Sequence, residues 1–110
     1  MATYRILFWK EIPTQIKYND DLNSTKSYML SDFFQQAVDS IAMFDGSIKS
    51  DEYLNAWSWG EETETNFKPE EIVDIYNDNI PEKFLSKIKT LHENGNRNPI
   101  PGAIDSWFKN

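Results

Sequence analysis

The segment from Thr3 to Trp9 constrains the fold more than any other part of the sequence. Apart from Arg5, its residues are β-branched, aromatic or aliphatic, and it contains no glycine or proline, which is typical of a β-strand. Apolar side chains occupy both alternating sets of positions, with Tyr4, Ile6 and Phe8 on one and Leu7 and Trp9 on the other. A strand that is apolar on both sides needs at least partial cover on both sides. We therefore expect it inside a sheet that packs against helices.

Three other segments complete the predicted sheet and its connections. Pro13 has no backbone N–H and predicts that regular pairing stops there, so residues 10–24 are expected to form a polar connection. A short strand around residues 26–30 is expected to return and pair with the first. A third strand is predicted over residues 53–59, where alternation puts Tyr53, Trp57 and Trp59 on one face.

Start and stop signals predict three helices. The first begins at Asp32, which forms a capping-box pattern with Gln35, and it stops at Gly46. The second begins at Pro69, which two glutamates follow at the positive end of the helix dipole. Pro81 would kink that helix, so a third helix is expected after Pro81, with its end at Asn94-Gly95.

Together these elements predict a single α+β domain over residues 1–110. Their order is β-β-α-β-α-α, which predicts a two-layer fold with a small three-stranded sheet and helices packed on one face, because every element has an apolar side that needs cover. The β-α-β portion is expected to cross over in the right-handed sense. A chain of 110 residues fits one domain, and no linker long enough to separate two domains is visible.

The charge of the chain argues against two classes of partner. The net charge is −7 and only two arginines are present, whereas phosphate backbones and anionic membrane surfaces require clustered Lys and Arg. We therefore expect no nucleic acid and no membrane among its partners. The acidity serves solubility or, alternatively, complements a basic partner.

Cysteine usage bears on the compartment. The chain has no Cys, which excludes disulfides and zinc–thiolate sites and fits a reducing environment. No signal peptide is expected either, because only four apolar residues, 6–9, precede Lys10-Glu11. These features predict a cytoplasmic protein.

The common catalytic and metal-binding patterns are missing from the sequence. His92 is the only histidine, and the acidic runs at residues 19–21 and 61–64 do not have the ligand spacing of an EF-hand loop. There is no G-x-S-x-G turn, and the four glycines are too far apart for a phosphate loop. We therefore predict no metal, cofactor or catalytic residues. Chemistry by paired carboxylates needs no motif and stays open.

The aromatic residues are the remaining candidates for a binding site. Tyr53, Trp57 and Trp59 form either a buried stripe under the helices or an exposed anchor, since Trp and Tyr contribute strongly to interfaces. Trp107 and Phe108 lie in a segment near the C-terminus that contains Pro and Gly. That pair either packs back on its own domain or docks into a partner.

Three stretches of the sequence resemble one family, the small bacterial domain named virulence factor. Residues 4–16, YRILFWKEIPTQI, are similar to its opening R-Y-x-I-L-Y-W-x-E-I-P-x-Q-V. Residues 37–46 match its A-I-D-x-x-A-M-x-x-G helix end, and residues 51–59 match D-x-Y-L-x-x-W-x-W. The agreement covers about residues 1–76. We therefore expect a family-like core at 1–80 and an added helix and tail at 81–110.

The resemblance implies a role but no catalytic residue. Some members of the family are fused to helical-repeat scaffolds, which implies a non-catalytic accessory protein that binds another protein. Free-standing members often neighbour enzymes of folate- and corrinoid-linked methyl transfer, which implies as an alternative an accessory subunit or a binder of a pterin-like ligand in one-carbon metabolism. If Trp9, Trp57 and Trp59 converge, with the polar Gln15 close by, they form an aromatic floor on which a flat ligand could stack.

Overall fold

The predicted first strand is the centre of the sheet in the computed structural model, which describes residues 2–22 and 24–108. The strands within these residues are β1 (Ala2–Trp9), β2 (Ile12–Asn19), β3 (Thr25–Met29), β4 (Trp57–Trp59) and β5 (Thr63–Thr65). The α-helices within them are α1 (Asp32–Phe44), α2 (Glu52–Asn55), α3 (Pro69–Asn77) and α4 (Phe84–Glu93), with 3₁₀ turns at Ser47–Lys49 and Asp105–Trp107. The α+β class predicted from the sequence is confirmed.

The sheet is larger than predicted and antiparallel at each pairing in the described residues. β1 pairs with β2 on one side and with both β4 and β5 on the other, while β3 pairs with the far side of β2. The predicted count of three strands is therefore wrong, and so is the predicted right-handed β-α-β crossover, which requires parallel strands. The physical reason is that a tight hairpin places β2 beside β1. The chain after α2 then returns along the opposite edge of β1 and runs against it.

The unexpected strand is β2, which lies where a polar connection was predicted. Lys10 and Glu11 form a two-residue turn that sets Trp9 opposite Ile12. Lys10 has φ 52°, a left-handed conformation that hairpin turns usually give to glycine, so this turn has none of the usual sequence signals. Pro13 is tolerated because it lies beside a bulge and beyond residues 15–19, the part of β2 that pairs with β3.

The strand predicted over residues 53–59 is correct only at its end. Residues 52–55 form α2, and the extended part is limited to Trp57–Trp59. Tyr53 and Trp57 are four positions apart, a spacing that fits one helical turn as well as alternate positions of a strand. Tyr53 therefore lies on a helix and not on one strand face with Trp57 and Trp59.

The longer helices lie close to their predicted positions. α1 begins at Asp32, but its cap is Ser31, whose Oγ accepts a hydrogen bond of 3.2 Å from the N–H of Phe33; the predicted capping box of Asp32 and Gln35 is wrong. Gly46 follows α1 with φ 84°, and α3 begins at Pro69 as predicted. The longest described helix has 13 residues, whereas about 20 are needed to cross a bilayer, and no helix in this part of the chain qualifies as a span.

The helices α1 and α3 cover one side of the sheet, which we call the inner face. α1 packs on β2, and α3 packs on β2 and β3. The core between the layers consists of buried side chains from both, among them Ile6, Phe8, Ile16, Phe34, Val38, Ile41, Ile72, Tyr76, Phe84, Ile88 and Phe108. Phe108 contacts the rings of Phe34 and Tyr76, so the segment after α4 folds back into the same core.

Candidate functional site

The side of the sheet opposite α1 and α3, which we call the outer face, carries a row of side chains across four strands. Leu7 on β1 lies opposite Trp59 on β4 and Gln15 on β2, and Gln15 lies opposite Met29 on β3. Directly opposed residues of antiparallel strands project to the same side. Trp59 is 39% exposed and Met29 63% exposed, while Leu7 and Gln15 are half-buried. The row is therefore an accessible, largely apolar band.

Two cations lie beside this band. Arg5 and Lys17 face each other across β1 and β2, two positions along from Leu7 and Gln15, and both are exposed. Lys17 Nζ lies 5.6 Å from the centroid of the Trp59 ring. Since β4 and β2 are on opposite sides of β1, this contact means that the two side chains meet over β1. Within the described residues neither cation forms an ion pair with a carboxylate, and Arg5 Nε donates to the carbonyl of Gly60 at 3.0 Å.

The band ends at an edge of the sheet. β3 is the terminal strand beyond β2, and residues 25–27 and Met29 are exposed. In an antiparallel edge strand, alternate backbone N–H and C=O groups point away from the neighbouring strand and are open to a further partner. The outer face therefore presents an apolar band, two cations and an open strand edge side by side.

The structure places Gln15 and Trp59, two of the residues proposed from the sequence, in this band. Trp57 lies on β4 opposite Trp9 and is half-buried. Trp9 has no exposed surface: its Nε1 donates to the carbonyl of Tyr53 at 3.0 Å, and the Tyr53 ring lies 6.2 Å away. Trp9 projects to the same side of β1 as Leu7, but α2 covers this end of the outer face, so Trp9 is buried and does not form a contact surface. The three tryptophans are adjacent, but they do not form one exposed floor.

The C-terminal aromatic pair packs back on its own domain. Phe108 is fully buried and therefore cannot contact a partner in this conformation. Trp107 is half-buried, with its ring 5.8 Å from Phe84 and under Lys87, whose Nζ lies 4.5 Å from the ring centroid. Of the two alternatives left open by the sequence, the structure shows the one in which this segment completes the domain.

A buried charge cluster lies at the turn between β1 and β2. Arg97 binds both carboxylate oxygens of Glu11, at 2.6 and 2.7 Å, and its Nη1 lies 2.9 Å from Asp45 Oδ2. The Lys10 ammonium group lies 2.9 Å from Asp45, 2.7 Å from Ser47 Oγ and 3.1 Å from Glu52. Hydrogen bonds from Ser47, Lys10 and Arg97 outweigh the opposing effect of burial and hold the pKa of Asp45 well below its usual value.

The chemistry of this cluster is structural. Ser47 and Lys10 are close enough to resemble a nucleophile with its base, but Ser47 is 1% exposed and out of reach of a substrate. The ammonium group of Lys10 donates to three acceptors and so uses all of its N–H bonds. The described residues also contain no group of three His, Cys, Asp or Glu side chains placed to hold a metal ion.

Part of both arrangements does not follow from the sequence. Only the strand register brings four further residues to this face: Leu7 and Met29 in the band, and Arg5 and Lys17 beside it. That register depends on the turn at Lys10-Glu11 and on the bulge in β2. The alternation within Thr3–Trp9 was a usable signal for Leu7 and Arg5, since it assigns them to one side. Arg97 is 86 positions from Glu11, and no local pattern predicts that pair.

A family model described as Virulence factor matches residues 7–92. The match covers more than three quarters of the 110 residues. It includes the whole band and extends to His92 in α4, well past residue 76, where the resemblance was expected to end. It does not include Arg97, Trp107 or Phe108. No curated protein and no solved structure matches this chain.

Proposed function

This chain belongs to the virulence factor family, and we propose that it is a non-catalytic accessory protein that binds a protein partner through the outer face of its sheet. The observation that carries the proposal is the row Trp59–Leu7–Gln15–Met29. In a two-layer domain the side away from the helices faces water and is normally polar. Large apolar side chains aligned there have no role in the core and suit an interface.

A polypeptide fits this surface better than other ligands do. Trp, Met and Arg are enriched in the centres of protein interfaces, and Trp59, Met29 and Arg5 lie together here. The open edge of β3 adds backbone donors and acceptors that a partner chain can pair with. Two cations in a chain of net charge −7 are too few to hold a nucleic acid backbone.

The local charge indicates the chemistry of the partner. Arg5 and Lys17 are exposed cations without a carboxylate partner in the described residues, so the complementary surface is apolar with carboxylates at its rim. A basic partner was one of two interpretations of the net acidity, the other being solubility, but contacts depend on the charge of the local face and not on the total charge. A second copy of this chain would bring four cations together, which disfavours self-association through this face.

The geometry gives no support to the alternative in one-carbon metabolism. A pterin-like ligand was expected to stack on Trp9, Trp57 and Trp59, but Trp9 is enclosed by α2. For the compartment, we propose the cytoplasm, because a chain without Cys suits a reducing environment.

Site-specific photocrosslinking in the source cell tests the proposal. The photoreactive residue p-benzoyl-phenylalanine replaces Met29 on the outer face or, as a matched control, Met43 on α1, which is 70% exposed. We expect one crosslinked protein from position 29 and none of it from position 43. That protein is expected to carry an acidic, apolar segment at the crosslinked peptide.

A charge reversal on the outer face makes the test specific. Lys17→Glu is expected to abolish the crosslink from position 29, whereas Lys89→Glu, on the exposed side of α4, is expected to leave it unchanged. Equal crosslinking from positions 29 and 43, or a crosslink that Lys17→Glu does not alter, would contradict binding through this face. Crosslinking to a second copy of the chain would contradict the accessory role.

A further inference from the structure

A cavity of about 390 Å³ opens beside β1, on the side where the chain passes from β4 to β5. Its walls include Tyr4, Phe8, Glu61, Thr63, Tyr76 and Asp105. Glu61 and Thr63 are exposed and mark the mouth, whereas Tyr76 and Phe8 are buried and form the inner end. The volume is within the range of known small-molecule sites.

Tyr76, at the inner end of the cavity, carries a buried hydroxyl group. Tyr76 is 1% exposed, and its hydroxyl makes no hydrogen bond to any described residue. Buried polar groups in native proteins almost always have a partner. A molecule bound in the cavity would supply the missing partner.

The position of Asp105 distinguishes between the two cavities that Tyr76 lines. Burial and, next, the charge of Asp105 raise the pKa of Tyr76, so the Tyr76 hydroxyl stays protonated and lies in the field of that carboxylate. Asp105 lines this cavity. It does not line the second cavity beside Tyr76, which is more apolar and includes Phe67 and Ile75.

Two hydrogen bonds to the backbone of Gly60 hold the mouth of the cavity in place. The N–H of Gly60 donates to the carbonyl of Ile6 at 2.8 Å, and Arg5 Nε donates to the carbonyl of Gly60 at 3.0 Å. A Cβ at Gly60 would lie 2.8 Å from Cε2 of Phe8, so only glycine lets the chain approach the ring this closely. The cavity is therefore preformed.

The residues that line the cavity favour a ligand that is planar and positively charged. They carry the carboxylates of Glu61 and Asp105 and, among the described lining residues, no Lys, Arg or His. Aromatic faces attract cations and stack on planar groups, and Tyr4, Phe8 and Tyr76 supply such rings. We propose that this cavity binds a small planar organic cation, whose N–H groups face Asp105 and the Tyr76 hydroxyl.

Chemical-shift titration of the whole ¹⁵N-labelled protein with benzamidine, a planar cation, tests this site. Benzoate, which has the same ring and the opposite charge, is the matched control ligand. We expect benzamidine, and not benzoate, to shift the amide signals of Gly60, Thr63 and Gly102 in a saturable way. Tyr76→Phe and Asp105→Asn are each expected to weaken binding about 5- to 10-fold, the effect of one lost hydrogen bond or charge contact.

Two control variants keep the result interpretable. Tyr76→Phe retains the ring and removes a hydroxyl without a partner, so the variant is expected to fold. Tyr28→Phe, on β3, and Met29→Gln, on the outer face, are expected to bind benzamidine as the parent protein does. The proposal is overturned if benzoate binds as well as benzamidine, if Tyr76→Phe binds unchanged, or if no shifts appear at millimolar benzamidine. None of these outcomes bears on the outer face.

Discussion

Arg97 and Glu11, 86 positions apart in the sequence, form a two-pronged ion pair in the interior, with Nε 2.6 Å from Oε2 and Nη2 2.7 Å from Oε1. The side chains are 6% and 2% exposed. Arg97 also binds Asp45, which in turn binds Lys10. The segment after α4 is thereby joined to the turn between β1 and β2, where Lys10 holds a left-handed conformation.

Removal of Arg97 is expected to destabilise the fold strongly. Arg97→Gln leaves the Glu11 and Asp45 carboxylates buried without their main counter-charge, which costs about 3–5 kcal/mol in unfolding free energy. Urea unfolding followed by circular dichroism measures the loss. Lys89→Gln, at an exposed position of α4, is the control and is expected to change the free energy by less than about 0.5 kcal/mol. Similar losses for the two variants would show that the cluster is not important for stability.

The low pKa of Asp45 predicts a loss of stability in acid. A carboxyl whose pKa is lower in the folded chain than its usual value of 3.8 stabilises the fold above that pH. The stabilisation is lost as the pH falls from there through the folded-state pKa. We expect the melting temperature to fall steeply below about pH 4. In Asp45→Asn the melting temperature is expected to start lower at pH 7 and to fall less in the same window; parallel profiles would contradict this origin.

Truncation tests whether residues 94–108 are an appendage or part of the domain. A chain that stops at Glu93 lacks Arg97 and also Phe108, which packs on Phe34, Tyr76 and Phe84. Loss of a buried Phe alone costs about 3–5 kcal/mol, so the truncated chain is expected not to fold. Proton NMR of the truncated chain shows this directly. A dispersed spectrum would mean that the core is complete without the segment.

Trp9 and Trp59 provide a matched comparison of a core and a surface tryptophan. Trp9→Phe leaves the carbonyl of Tyr53 without its donor and leaves a gap, so we expect a loss of about 1–3 kcal/mol in unfolding free energy. Trp59→Phe, on the outer face, is expected to cost less than about 0.5 kcal/mol. Denaturant unfolding of the two variants checks the order, and a larger cost for Trp59 would assign that ring to the core.

The sequence predicted the parts of the fold that depend on local signals. The start of α3 at Pro69, the glycine after α1 and the strand at Thr3–Trp9 were all visible because capping, turn chemistry and alternation act over a few residues. The turn at Lys10-Glu11 was not visible, since its left-handed residue is a lysine stabilised by Asp45, Ser47 and Glu52. Because the sequence does not reveal this turn, it predicts neither β2 nor the antiparallel register of the strands.

The candidate site was predicted only in part for the same reason. Aromatic content identified Trp59, and the resemblance to a family identified Gln15, but only the register places them in one row with Leu7 and Met29. The burial of Trp9 depends on α2. This helix was not predicted, because the four-residue spacing of Tyr53 and Trp57 fits a strand as well as a helix. The bond between Arg97 and Glu11 depends on the whole fold.

Hydrogen–deuterium exchange of the chain alone and in complex with the protein crosslinked at position 29 tests most directly whether binding uses the outer face. In the complex, we expect slower exchange in the peptides that contain residues 5–8, 15–18 and 26–29, and no change in α4. Protection confined to α4 and the segment around Trp107, with β3 unchanged, would contradict the proposed interface.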